Sequence, residues 1–166
     1  NESKNWLSIQ AIYQFMQRMK TKQTLFSITG GVHAAALFNH IDNTSKNEVS
    51  SDEVSSEKFN DNKARSQNTL LSVKEDIGRH NALDKLLGEY WLNNDEPLRL
   101  KLIAVLSSRV SFEMIQKAVM SGVCVLIAIG APSDLAIKAA QRFNLTLIAF
   151  ANEHSFNVYH AEWRLV

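Results

Sequence analysis

The 166-residue chain has a single cysteine, Cys124, so neither an internal disulfide nor a zinc site built from several thiolates can form within it. Cys124 lies in the apolar run VCVLIAI, where a cysteine behaves as a small core residue. A lone cysteine of this kind is typical of a reducing compartment. We therefore expect a cytoplasmic protein.

Long apolar segments and an excess of either charge are also lacking. The apolar runs are far shorter than the roughly 18 residues that a membrane helix needs. Lys and Arg number 18 against 17 Asp and Glu, and no long basic run occurs. We therefore expect neither a membrane nor a nucleic acid as a partner. The chain opens on NESKNW, without Met or a secretory signal, so we expect a fragment of a longer protein.

Hydrophobic residues make up 45% of the chain, and its length suits one domain spanning residues 1–166. Apolar periodicity and cap residues predict an α/β sheet with helices on both faces. The predicted helices are 5–20, VHAAALFNH after a Gly-Gly turn, 79–92, 111–122 and 132–144. The predicted strands are 24–29, 70–76, 100–108, 123–130, LTLIAFA and FNVYH.

Residues 43–69 form a polar stretch, rich in Ser, Asn, Asp, Glu and Lys. Such a segment cannot bury enough apolar surface to offset the entropy of ordering it. We interpret it as a disordered insertion within one sheet, because the segments on either side resemble parts of the same fold.

Polar residues gather where the predicted strands run into the next element, which is where open α/β sheets bind ligands. The candidate site residues are Thr29, Gly30, Gly31 and His33; Asp76, Gly78, Arg79, His80 and Asn81; Ser107, Ser108, Arg109, Ser111 and Glu113; Gly130, Ala131, Pro132 and Ser133; and Asn152.

These residue types suggest a phosphorylated ligand. Helix N-termini attract anions, glycine allows the backbone to approach closely, and the guanidinium groups of Arg79 and Arg109 match phosphate geometry. Asp76 or Glu113 could accept a hydrogen bond from a purine edge.

Each residue also has an ordinary structural interpretation. Asp76, Ser111 and Ser133 could be helix caps, and His33 a structural hydrogen-bonding residue. Arg79 with Asp84, and Glu113 with Lys117, could be surface pairs on helices. Only the convergence of several such junctions favours a site.

Four blocks, TGGVHAAAL, EDIGRHNALDKLLG, SSRVSFEMIQKA and LIAFANEHSFNVYH, resemble the formate dehydrogenase accessory sulfurtransferase family, FdhD/NarQ. The resemblance covers about residues 25 to 160, apart from the polar stretch. It implies a cytidine-deaminase-like three-layer αβα sandwich with a mixed sheet.

The resemblance also implies a function. Members take sulfur from a cysteine desulfurase, carry it as a persulfide and deliver it to the bis-molybdopterin guanine dinucleotide molybdenum cofactor needed by formate dehydrogenase. GDP is then an analogue of part of the ligand, and a homodimer is expected. The alternative is a chaperone that holds the cofactor without chemistry. A nucleotide hydrolase is a weaker idea, because the sequence has no P-loop signature.

The resemblance assigns cofactor binding to the closing loop and reveals two departures. The matching loop residues are Phe150, Ala151, Asn152, Glu153, His154 and Ser155, where many relatives have glycine and arginine. The family's Cys-x-x-Cys loop is absent from these residues, so we expect no sulfur transfer by this fragment alone. No zinc is expected, because His33 is followed by two alanines and the Pro-Cys-x-x-Cys pair of the zinc deaminases is missing.

Overall fold

The computed structural model describes residues 4–41, 67–93 and 101–166. They form a mixed α/β fold around one six-stranded sheet. The helices are α1 (Ile9–Thr21), α2 (Thr24–Thr29), α3 (Arg79–Leu92), α4 (Phe112–Met120) and α5 (Asp134–Arg142). The strands are β1 (His33–Ile41), β2 (Gln67–Asp76), β3 (Lys101–Leu106), β4 (Val123–Ala128), β5 (Thr146–Ala149) and β6 (Asn157–His160).

The sheet has the order β2-β1-β3-β4-β5-β6. Strands β3, β4 and β5 are parallel, and β1 pairs antiparallel with both β2 and β3. Strand β6 closes the far edge antiparallel to β5. Because β1 runs antiparallel to β2 and β3, its first residue lies at the same end of the sheet as the last residues of β2, β3 and β4.

Both faces of the sheet are covered. Alternate residues of each strand enter two separate apolar clusters, as the twofold period of a strand requires. One cluster contains α3, α4 and α5, and the other contains α1. The predicted α/β sheet with helices on both faces is therefore confirmed, whereas the cytidine-deaminase-like assignment stays a prediction.

The prediction for residues 24–41 was wrong in its order of elements. TLFSIT was expected to be a strand and VHAAALFNH a helix, but they form helix α2 and strand β1. Alanine has the highest intrinsic helix propensity, but such preferences are small and tertiary packing overrides them. Strand β1 lies between two strands and under helices on both faces, so its small side chains at 34, 35 and 36 are almost fully buried.

The predicted polar insertion, residues 43–69, extends too far at its C-terminal end. Residues 67–69 already belong to β2, where Asn68 and Thr69 pair with His40 and Asn39. The rest of the predicted insertion lies outside the described residues.

The segment before α1 is fastened to the end of the chain. The backbone N–H groups of Trp6 and Leu7 donate to the carbonyl of Arg164, and Val166 N–H donates to the Leu7 carbonyl at 2.9 Å. Arg164 is itself buried, and its guanidinium donates to Thr146 Oγ1 at 2.8 Å. Across the described ranges, no helix is both long and apolar enough to span a bilayer.

Candidate functional site

A pocket of about 1120 Å³ opens at the end of the sheet where β1 begins, on the face covered by α1. Helix α1 contributes one stripe of side chains, spaced three or four residues apart along the helix. The α2 region and the turn before β1 form a second wall, and the ends of β3, β4 and β5 form the third. The lining residues are Tyr13, Met16, Gln17, Lys20, Gln23, Phe26, Gly30, Gly31, Val32, His33, Ser107, Ile129, Ala151, Asn152, Glu153 and His154.

The antiparallel course of β1 brings the Gly-Gly turn to this edge. His33 pairs with Asp76 of β2, and Ala35 pairs with Leu106 of β3. Ser107 then locks the junction, because its Oγ accepts from Ala34 N–H at 2.8 Å and its own N–H donates to the Ala34 carbonyl at 3.0 Å. The junction between His33 and Ser107 is therefore held by both backbone and side chain.

The loops after β3 and β4 meet at Gly130. Its N–H donates to the Ser108 carbonyl at 3.1 Å, and a Cβ atom at this position would stand only 2.6 Å from the Arg109 nitrogen. The loop after β5 joins them, because Ala151 N–H donates to the Ala128 carbonyl at 3.0 Å. Three strand ends thus share one closely packed junction beneath the pocket.

The closing loop, residues 150–155, is shaped by the side chain of Asn152. Its Oδ1 accepts from the N–H groups of His154 and Ser155 at 2.9 and 3.1 Å, and its Nδ2 donates to Ser155 Oγ at 3.0 Å. Phe150 enters the loop with φ of 54°, a left-handed conformation that costs energy for an aromatic residue. Asn152 is thus largely occupied within the loop, while Glu153 and His154 are exposed.

The charges at the pocket partly balance. Lys20 of α1 reaches Glu153 of the closing loop at 3.5 Å, with both side chains mostly in water. An exposed pair of this kind contributes little stability and is easily exchanged for another partner. His33 and His154 add two imidazoles that can donate or accept hydrogen bonds.

The sequence EDIGRHNALDK, singled out above, forms a polar network on the other face. His80 Nε2 lies 2.9 Å from Ser111 Oγ, and Lys117 pairs with both Asp84 and Glu113, at 2.8 and 2.9 Å. This network joins α3 to α4.

Asp76 stabilises the turn between β2 and α3. Its carboxylate binds Lys85, and it accepts from Gly78 N–H at 2.9 Å and from the Asn81 amide at 3.2 Å. The ammonium of Lys85, the N–H of Gly78 and the Asn81 amide together hold the pKa of Asp76 at about 2. Lys117 likewise lowers the pKa of Glu113.

The structure brings only some of the predicted site residues to the pocket. Those that line it are Gly30, Gly31, His33, Ala151, Asn152, Glu153 and His154, together with the junction residue Ser107. Those that do not line it are Asp76, Gly78, Arg79, His80, Asn81, Ser108, Arg109, Ser111, Glu113, Ser133, Phe150 and Ser155. A ligand contact by this second group stays a prediction.

The capping interpretations have mixed outcomes. Ser133 caps α5, since its Oγ accepts from Ala136 N–H at 3.1 Å. Ser111 occupies the N-cap position of α4 but makes no side-chain cap, because its hydroxyl meets His80 instead. Asp76 shapes the preceding turn and is not the N-cap of α3, which is Gly78.

The α1 wall of the pocket was not foreseen. The spacing of Tyr13, Met16, Gln17 and Lys20 predicts one helical stripe, but nothing in the sequence places it over the sheet edge. Within residues 4–41, 67–93 and 101–166, no three His, Cys, Asp or Glu side chains lie together as metal ligands. The absence of zinc stays a prediction.

Comparison with known families shows the family to which the chain belongs. The model of the FdhD/NarQ family matches residues 62–166. The chain belongs to the FdhD/NarQ family. The match runs from β2 to the end of the chain and includes the closing loop of the pocket.

Curated relatives of this FdhD/NarQ chain carry one name. It is 39% identical over 142 residues to sulfur carrier protein FdhD of Mycolicibacterium paratuberculosis, covering 86% of this chain and 42% of that protein. It is 41% identical to sulfur carrier protein FdhD of Streptomyces coelicolor, covering 86% and 41%. The chain therefore spans less than half the length of these relatives.

A crystal structure of a proposed formate dehydrogenase accessory protein from Desulfotalea psychrophila has the same fold. It matches with a TM-score of 0.70 at 24% identity, over 99% of this chain and 61% of that one. The mixed sheet described above is therefore an FdhD-like fold.

Proposed function

We propose that this chain is the cofactor-binding part of a sulfur carrier protein that serves formate dehydrogenase. Its ligand is the guanine nucleotide portion of the bis-molybdopterin guanine dinucleotide molybdenum cofactor. The observation that carries the proposal is the pocket of about 1120 Å³ in which the Gly30–Gly31 turn meets the closing loop.

The chemistry of the walls suits a nucleotide. Ligand pockets are mostly apolar, with a few polar groups that fix orientation. Here Tyr13, Phe26 and Ile129 supply apolar surface, while His33 and Lys20 supply donors for phosphate oxygens. Gly31 leaves the backbone open, because a Cβ atom there would meet only the Thr29 carbonyl, at 3.8 Å. These residues fit one nucleotide, and the pocket volume is slightly above the usual range for small-molecule sites.

The sulfur-carrying step belongs to cysteines outside these 166 residues. A persulfide carrier needs an accessible thiolate. Cys124 is partly buried on β4, its sulfur lies 3.3 Å from the Leu102 carbonyl, and it does not line the pocket. The role of this chain is therefore to hold the sulfur acceptor, while a cysteine desulfurase supplies the sulfur and formate dehydrogenase receives the product. A cytoplasmic homodimer is the form we propose for the protein.

The position of Cys124 also favours the second candidate, a cofactor chaperone without chemistry. The two functions differ in whether a cysteine desulfurase can load sulfur onto the full-length protein. Mass increase by one sulfur on a cysteine outside this chain supports the carrier. Cofactor binding without any such increase supports the chaperone.

Calorimetric titration with GDP tests the binding site directly. ADP is the matched control, since it has the same phosphates on a different base, and ATP is a second control. Saturable binding of GDP with weaker binding of ADP is expected. Equal affinities for GDP and ADP, or no binding of GDP, would contradict a guanine pocket in this chain.

A further inference from the structure

Helix α2 forms part of the pocket wall, yet none of its residues is buried. Phe26 lines the pocket with 47% of its surface exposed, and Ile28 is 81% exposed. A helix of six residues is too short to be stable without tertiary support. The contacts that hold α2 in place therefore matter for the shape of the pocket.

Glu75 of β2 makes the tertiary hydrogen bonds to the start of this helix. Its two carboxylate oxygens accept from the N–H groups of Leu25 and Phe26 at 2.8 and 2.9 Å, and Thr24 Oγ1 donates at 3.4 Å. These N–H groups have no partner within the helix, and a carboxylate there also complements the helix dipole. Gln23, at the N-cap position, makes no side-chain cap, so Glu75 takes its place from a distant strand.

The other end of α2 leads directly into the pocket. Gly30 ends the helix in the left-handed conformation, with φ of 62° and its N–H donating to the Phe26 carbonyl at 2.8 Å. The chain then continues through Gly31 to His33, which both line the pocket. A shift of α2 would therefore move Phe26 and this turn together.

We propose that Glu75 is a positioning residue for ligand binding, which fixes α2 so that the Phe26 ring forms a stacking surface for a purine base. This inference rests on the proposed function. A half-exposed aromatic ring on a pocket wall is suited to base stacking, which contributes substantially to nucleotide binding. Gln17 of α1 and Gln23 at the start of α2 also line the pocket, and their amides can pair with the edge of the base.

The first test separates base binding from phosphate binding. The 166-residue chain and its variants are titrated with GDP and, separately, with pyrophosphate. Phe26→Ala is expected to raise the Kd for GDP about tenfold, as loss of one base stack predicts, and to leave the Kd for pyrophosphate unchanged. Glu75→Ala is expected to show the same pattern. Glu75→Gln is expected to lie between, because its amide oxygen can still accept one N–H.

The second test follows α2 in the protein without ligand. Amide exchange at Leu25 and Phe26 is expected to accelerate at least tenfold in Glu75→Ala, with no change in the midpoint of global unfolding. Asp134→Asn, which removes an exposed carboxylate from the first turn of α5, is the matched control and should alter neither measurement.

The outcomes distinguish the two levels of the proposal. If the unaltered chain binds GDP and both the Phe26 and Glu75 variants bind it equally well, the positioning role is wrong and the nucleotide pocket stands. If the unaltered chain binds no GDP, the proposed function fails and the stacking role falls with it. Unchanged exchange at Leu25 and Phe26 in Glu75→Ala would show that Glu75 does not hold the helix.

Discussion

Gly130 lies directly against the backbone of Arg109. A Cβ atom at position 130 would stand 2.6 Å from the Arg109 nitrogen and 2.8 Å from its Cα. Both atoms belong to the main chain, so no side chain can turn aside to make room. This contact ties the end of β4 to the loop after β3, next to Ile129 in the pocket.

Gly130→Ala is therefore expected to lower the free energy of unfolding by about 2 kcal/mol, the usual cost of overpacking. Gly88→Ala is the matched control, because a Cβ atom there meets nothing within 4 Å and the residue lies inside α3. That control should stabilise the protein by about 0.5–1 kcal/mol. Urea denaturation of the three proteins measures both changes, and equal stabilities for Gly130→Ala and the parent would contradict the contact.

Asn152→Ala is expected to loosen the closing loop. The substitution removes the acceptor for the N–H groups of His154 and Ser155 and the donor to Ser155 Oγ. Amide exchange at these two residues should accelerate, while global stability falls by about 1 kcal/mol or less, because the loop is exposed. Asn152→Asp keeps the acceptor and is expected to preserve protection at both residues. Protection that survives in the alanine variant would rule out this role.

The positions of His33 and His154 at the pocket predict that both side chains contribute to the affinity for GDP. His33→Ala and His154→Ala are each expected to raise the Kd for GDP about tenfold, which corresponds to about 1.4 kcal/mol, as loss of a hydrogen bond to a charged group predicts. Arg79→Ala, at a residue that does not line the pocket, is expected to have the smaller effect.

The same titrations test the sequence-based prediction that Arg79 and Arg109 bind phosphate. A larger loss for Arg79→Ala than for His154→Ala would place the anion at the N-terminus of α3. Circular dichroism of each variant checks that the fold is intact.

The lowered pKa of Asp76 predicts a dependence of stability on acid. Its pKa of about 2 lies below the ordinary 3.8, so the carboxylate is favoured in the folded protein. The stabilisation is complete above about pH 4 and is lost as the pH falls from there towards 2. In Asp76→Asn this contribution is absent, so the difference in unfolding free energy from the parent should shrink over that interval.

Titration of the Asp76 carboxyl carbon by NMR measures this pKa directly. Lys85→Gln is the informative variant, because Lys85 is the largest cause of the shift. It should raise the pKa of Asp76 towards its ordinary value. An unchanged pKa in Lys85→Gln would show that the ion pair does not cause the shift.

Most of the sheet could be predicted from the sequence, since β3, β4 and β5 are continuous apolar runs between well-marked helices. The structure of residues 24–41 could not be predicted in this way. The alanine-rich sequence VHAAALF has a high local preference for a helix, but it also suits a strand that is covered on both faces. Only the neighbours of β1 decide between them, and those neighbours lie far away in the sequence.

Only part of the candidate site could be predicted from the sequence, and the reason is geometric. Junction residues were expected to converge at one edge of the sheet, and the Gly30–His33 turn, Ser107 and the closing loop do. Arg79, Ser111 and Ser133 instead begin helices of the face opposite α1, whereas the pocket opens beside α1. The sequence marks the ends of strands but not the face on which a crevice forms.

The fastening of residues 5–7 to residues 163–166 has a mechanical consequence. Helix α1 begins two residues after Leu7 and forms one wall of the pocket. The hydrogen bonds from residues 163–166 therefore restrain the start of the helix that forms this wall. Residues 163–166 thus support the pocket although none of them lines it.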